Sequence, residues 1–174
     1  MKWLGLLALA FYAAHCAYHV WDGHAEDVLW ACHVAALVIG VGLLGGWPTW
    51  VAVGVTWLAV GVPLWLFDLA VGGEFTPTSV LTHVGGLVVG LIGLWQLGMP
   101  AQVWWKALLA LAALQQLCRW VTPPDANVNV AFSVYPWMKP YFSSYLVYLG
   151  AMAVLFGALY FVTELVLRKL LPGG

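Results

Sequence analysis

Apolar runs close to membrane-crossing length, separated by short stretches of Gly, Pro and charge, follow one another along this 174-residue chain. About 20 mostly apolar residues carry an α-helix across a bilayer, so the pattern predicts a bundle of membrane helices. Spans are expected near 3–20, 28–44, 49–69, 78–97, 101–121 and 140–170. The expected fold is therefore an all-α polytopic transmembrane helix bundle of about six spans, one domain over 1–174. Composition agrees, because only 7% of residues are charged against roughly 25% in soluble domains. Twelve Trp and seven Tyr suit rings seated at many membrane–water interfaces. Six cationic residues form no basic patch, which excludes nucleic acid as a partner. The opening run holds His15, Cys16 and His19 and lacks a small-x-small cleavage site, so it reads as a first helix rather than a signal peptide.

Pro48, Pro100 and Pro140 stand at or near expected helix starts, where a missing N–H does no harm, whereas Pro63 falls inside a span and should kink it. Small residues recur at helical spacing, as in Gly86, Gly90 and Gly93, which suits close packing of helices in lipid. With six spans both termini share one side. Lys2, Lys106, Arg168 and Lys169 lie there against Glu164 alone, while Asp22, Glu26, Asp27, Asp68, Glu74 and Asp125 lie opposite with Arg119 and Lys139. The excess of Lys and Arg puts both termini in the cytoplasm and the acidic side at the periplasm or exterior of a bacterial inner membrane.

All five histidines and all three cysteines fall at that same acidic end. His15 and His19 share a face one turn apart, with Tyr12. His33 continues Ala36 and Gly40, His83 continues Gly86 and Gly90, and Asp68 continues Gly54 and Gly61 through Trp65. Three small-residue stripes thus end in a polar residue at similar depth, and polar residues inside a membrane mark function by default. His24, Glu26 and Asp27 read as solvated loop, Cys16 and Cys118 as packing, and Trp21, Trp30, Trp47, Trp50, Trp104, Trp105, Trp120 and Trp137 as interface anchors.

Several chemistries fit such a cluster. In the first, Cys32 attacks an ester carbonyl, His83 takes and returns the proton, and Asp68 or an asparagine orients the imidazole; the enzyme would be an intramembrane acyltransferase or hydrolase acting on a membrane lipid or other amphipathic ester. Cys32 and His33 are ~100° apart on a helix, so one of them is expected inside and the other at the periphery. In the second, His15, His19, His33 and His83 ligate a divalent transition metal such as zinc, iron or copper. In the third, His33 and His83 are the axial ligands of a haem b. A structural subunit, as a homo-oligomer or in a membrane complex, accounts for the short loops and aromatics but leaves the one-sided His, Cys and acids unexplained. A channel is disfavoured because the cytoplasmic half of every helix is almost wholly apolar.

Leu29-Trp30-Ala31-Cys32 at a helix start, Thr76-Pro77, then His83, with Asn129, Lys139-Pro140 and Ser143-Ser144 before the last helix, resembles the YwaF-like bacterial integral membrane proteins. The resemblance runs from about residue 28 to the C-terminus and implies kinship with membrane acyltransferases that remodel ether phospholipids through a Cys and a His. It carries that role to Cys32 and His83. The chain departs from the family at Trp30, where a polar residue is expected, and lacks the aromatic-rich Gly-Pro turn after the serines.

Overall fold

The computed structural model describes residues 1–171, and their only regular structure is helical. The main helices are α1 (Lys2–Asp22), α2 (Ala31–Gly45), α3 (Pro48–Ala70), α4 (Gly86–Leu97), α5 (Val103–Val121) and α6 (Tyr145–Leu170). Three of them, α1, α3 and α6, are long and apolar enough to cross a membrane. The apolar helices Ala31–Gly45 and Leu81–Leu97 are shorter. At ~1.5 Å per residue, the 15 residues of α2 reach only about 22 Å of a ~30 Å hydrocarbon core.

The shortfall has local causes. The second span was expected from residue 28, but Ala25–Leu29 form a tight 3-10 turn and Trp30 is extended (φ −56°, ψ 135°), so α2 starts only at Ala31. The fourth was expected from residue 78 and begins at Ser79, with residues Leu81–Gly85 wound as a wide π turn that runs on into α4. The sixth was expected from residue 140, where Pro136–Tyr141 instead make a 3-10 turn, and Ser144 caps α6 by accepting a hydrogen bond from the Leu146 N–H. Pro63 sits within a continuous α3.

Small residues set the closest approaches. A side-chain carbon on Gly5 of α1 would stand 2.9 Å from the Gly40 carbonyl oxygen of α2, and one on Gly54 of α3 would stand 2.8 Å from the Ala35 oxygen of α2. These contacts hold α1, α2 and α3 backbone to backbone, the geometry by which helices associate without a hydrophobic driving force. Ala35, Ile39, Val51, Val55 and Leu58 are fully buried between them. The α5–α6 pair joins through Trp57 of α3, whose indole N–H donates to the Ala107 carbonyl of α5 at 3.0 Å.

The outer surface is apolar. Leu146, Val147, Val154, Leu155 and Val162 of α6 are exposed, as are Leu64, Leu66 and Phe67 of α3. Trp21, Trp120 and Trp137 are exposed at the histidine end of the bundle, and Trp3, Trp47 and Trp95 at the other. Two such rings of indoles match the two faces of a bilayer.

Candidate metal centre

Four of the five histidines meet inside the bundle. His15 and His19 come from α1, His33 from the first turn of α2, and His83 from the π turn before α4. All four are buried, His15 and His83 almost completely. Ring centroids are 4.4 Å apart for His15 and His19, 4.0 Å for His15 and His33, 5.8 Å for His19 and His33, and 5.3 Å for His33 and His83. His15, His19 and His33 each offer a ligand atom within 4.8 Å of the others, and so do Cys32, His33 and His83. Both Cys32 and His33 therefore reach the cluster despite their ~100° separation. His33 turns toward α1, while the Cys32 Cβ faces Gly61 of α3.

Hydrogen bonds set the state of the rings. The Nδ1 of His33 lies 2.8 Å from the Asp27 carbonyl oxygen, and that of His83 lies 2.9 Å from the Ser79 carbonyl oxygen. A carbonyl only accepts, so both Nδ1 atoms carry the proton and both Nε2 atoms present a lone pair. The Nδ1 of His15 bonds Thr78 Oγ1 at 2.9 Å. The Nε2 atoms of His15 and His83 and both ring nitrogens of His19 are buried with no hydrogen-bond partner. A buried polar atom without a partner costs ~1–3 kcal/mol, and such a debt collected at one place calls for a partner, an ion or water. Metal-bound histidines are held in this way, with the second ring nitrogen fixed by an oxygen.

Local structure explains the arrangement. The π turn lets the Ser79 carbonyl accept from side chains, Thr82 Oγ1 at 3.1 Å and His83 Nδ1. Single π turns inside helices recur at functional sites. The 3-10 turn folds Asp27 back over the cluster, where its Oδ2 is 3.9 Å from His19 Nδ1 and its Oδ1 accepts from the Trp30 indole at 3.0 Å. The half-buried Trp30 thus brackets Asp27 through its indole N–H. Asn129 pins the start of α2: its Oδ1 accepts from the Ala31 N–H at 2.9 Å and its Nδ2 donates to the Leu29 carbonyl at 2.7 Å and to Cys118 Sγ at 3.3 Å. Its φ of 52° is left-handed, and Asn tolerates that region better than most residues.

Asp68 is in neither group of mutually close donors. It is exposed in the last turn of α3, where its carbonyl accepts from the Gly73 N–H at 2.9 Å and its carboxylate rests against the Gly73 backbone. The Gly54–Gly61 face continues instead into Trp65, whose ring stacks on His83 at 4.6 Å and 18°. His24 is exposed and stands 3.9 Å from Glu26. Cys16, Cys32 and Cys118 are all free thiols. Beside the histidines, side chains pack against the glycines: a carbon on Gly85 would meet Phe11, and one on Gly86 would meet Leu58.

Asp27, Thr78, Trp65 and the Ser79 carbonyl complete the surroundings of the cluster and were not expected from the sequence as site residues. Ser79 sits one helical turn before His83, and that spacing is the signal that was there to read; Thr78 reaches His15 from 63 residues away. No family model, curated protein or solved structure matches this chain.

Proposed function

We propose that this chain is a membrane-embedded protein that binds a transition-metal ion among His15, His19, His33, His83 and Cys32. One observation carries the proposal: imidazoles from three separate helical segments turn oxygen-anchored rings toward one another, and the buried Nε2 atoms of His15 and His83 have no partner. Nitrogen and thiolate ligands suit zinc, iron or copper and not magnesium or calcium. A bound ion at this place supplies Lewis acidity or an activated water, while Thr78, Ser79 and Asp27 hold the ligand rings in register. Six spans, both termini cytoplasmic and the cluster opening to the periplasm or exterior of a bacterial inner membrane belong to the same proposal. Its support is the excess of Lys and Arg at one end of the bundle and of acids at the other.

Metal analysis of the purified, detergent-solubilised protein tests the proposal. The expected result is a stoichiometric transition metal that is lost in His33→Ala and held more weakly in His83→Ala. A metal-free wild-type protein that also fails to take up zinc or cobalt overturns it.

A second reading has its own observation. Cys32 Sγ, His33 and His83 are mutually within 4.8 Å, close enough for a thiol and its general base. On that reading Cys32 attacks a lipid ester, with Ser79 rather than Asp68 orienting His83. A lipid-ester probe that labels Cys32 in wild type and not in His83→Ala, with no metal present, would favour it over the metal centre.

A further inference from the structure

The cluster holds more donors than one ion uses. A tetrahedral site takes four ligands, whereas four imidazoles, a thiol and the Asp27 carboxylate converge here. They divide into two groups, His15–His19–His33 and Cys32–His33–His83, with His33 in both. His33 has one lone pair to give, because its Nδ1–H is donated to the Asp27 carbonyl. A single Nε2 lone pair serves one ion at a time, so the two groups cannot both be filled with His33 as a shared ligand.

Their surroundings differ. The first group lies beneath Asp27, whose side chain is 34% exposed and whose Oδ2 approaches His19 Nδ1. Glu26 and Asp22 stand in the same acid-rich segment, which attracts cations. The second group is walled by Trp65 stacked on His83 and by α3 at Gly61, and it offers the only sulfur.

Resting on the metal reading above, we propose that the cluster is a two-position site for a single soft or borderline transition-metal ion. The ion loads from the acidic face onto His15, His19 and His33. It then passes, with His33 retained as a common ligand, to Cys32, His33 and His83. Ligation at the second position releases the Cys32 thiol proton to water at the acidic mouth and involves no change of oxidation state. His19, with neither ring nitrogen hydrogen-bonded, is free to let go of the ion.

Titration of the detergent-solubilised full chain with Co²⁺, read by optical absorption and by bound metal per chain, tests the two positions. The expected wild-type result is one Co²⁺ per chain with a sulfur-to-cobalt charge-transfer band. Cys32→Ser is expected to bind one Co²⁺ still, at least ten-fold more weakly and without the band, since the histidine-only position remains. His19→Ala should keep both stoichiometry and band while slowing uptake about ten-fold. Two Co²⁺ per wild-type chain, complete loss of binding in Cys32→Ser, or unchanged uptake in His19→Ala overturns the two-position site and leaves the metal reading standing. Co²⁺ bound to wild type without the band has the same meaning. No binding of Co²⁺ or Zn²⁺ to wild type overturns the metal reading itself.

Discussion

The two ends of the bundle bury polar groups in opposite ways. At one end Glu164 of α6, 5% exposed, accepts from the backbone N–H groups of Gln102, Val103 and Trp104 at 2.7, 2.8 and 2.9 Å. Those donors belong to the unsatisfied first turn of α5, so the carboxylate and the helix start satisfy each other. At the other end the histidines are as deeply buried, yet ring nitrogens of His15, His19 and His83 have no partner. A saturated buried charge serves the fold. An unsaturated cluster costs the fold until an ion or water satisfies it.

The largest effect expected from this contrast is at Glu164. Glu164→Ala leaves three N–H groups stranded in an apolar setting and should cost about 3 kcal/mol or more. The thermal unfolding midpoint in detergent, followed by helical circular dichroism, would drop, with metal stoichiometry in the folded protein unchanged. Loss of metal at temperatures where the variant remains folded would show that the two ends are coupled and break the contrast.

His33→Ala is the converse. Both ligand groups contain His33, so transition-metal affinity should fall at least 100-fold, about 2.7 kcal/mol, while the metal-free protein stays folded. A competition titration against a chelator measures the first quantity and the unfolding midpoint the second. A stability loss as large as that of Glu164→Ala, with affinity intact, would make His33 structural.

Some of this contrast is legible in the sequence. The pairing of His15 with His19 follows from i, i+4 spacing, and the alignment of His33 and His83 with small-residue stripes gives their inward direction. The fate of Asp68 is not legible, because the turn at Gly72–Gly73 takes its carboxylate back onto the backbone. Helical phase along α3 gives the face of Asp68 but carries no information about that turn. Asp27 reads as solvated loop because periodicity carries no information about a 3-10 turn that folds over a neighbour. Glu164 reads only as a charge to count toward topology. Its partners are backbone N–H groups 60 to 62 residues earlier, which have no sequence signature. The helix starts are read less exactly: hydropathy marks where apolar residues lie, not where an extended Trp30 delays the start of α2.

A smaller effect sharpens the acid-side position. Thr78 Oγ1 fixes the His15 ring at 2.9 Å, and removing such a partner typically weakens metal binding ten-fold or more. In the wild-type background the thiol position masks this loss, so Thr78→Val belongs in the Cys32→Ser background. There it should lower Co²⁺ affinity about ten-fold, whereas a Thr78 serving only as packing would leave it unchanged.

The smallest effect is the most diagnostic in sign. His19 is 7% exposed and has neither ring nitrogen hydrogen-bonded, with Asp27 3.9 Å away, beyond hydrogen-bond reach. Phe matches the ring in shape and brings no polar atom to bury. His19→Phe should therefore raise the unfolding free energy of the metal-free protein by up to about 1 kcal/mol, the unmet desolvation that the imidazole carries. The same variant should take up Co²⁺ more slowly than wild type. A residue whose replacement helps the empty fold and hinders loading is held in place by the ion it handles. If His19→Phe instead destabilises the metal-free protein by 1 kcal/mol or more, the ring is packing after all, and the contrast between the two ends narrows to His15, His33 and His83.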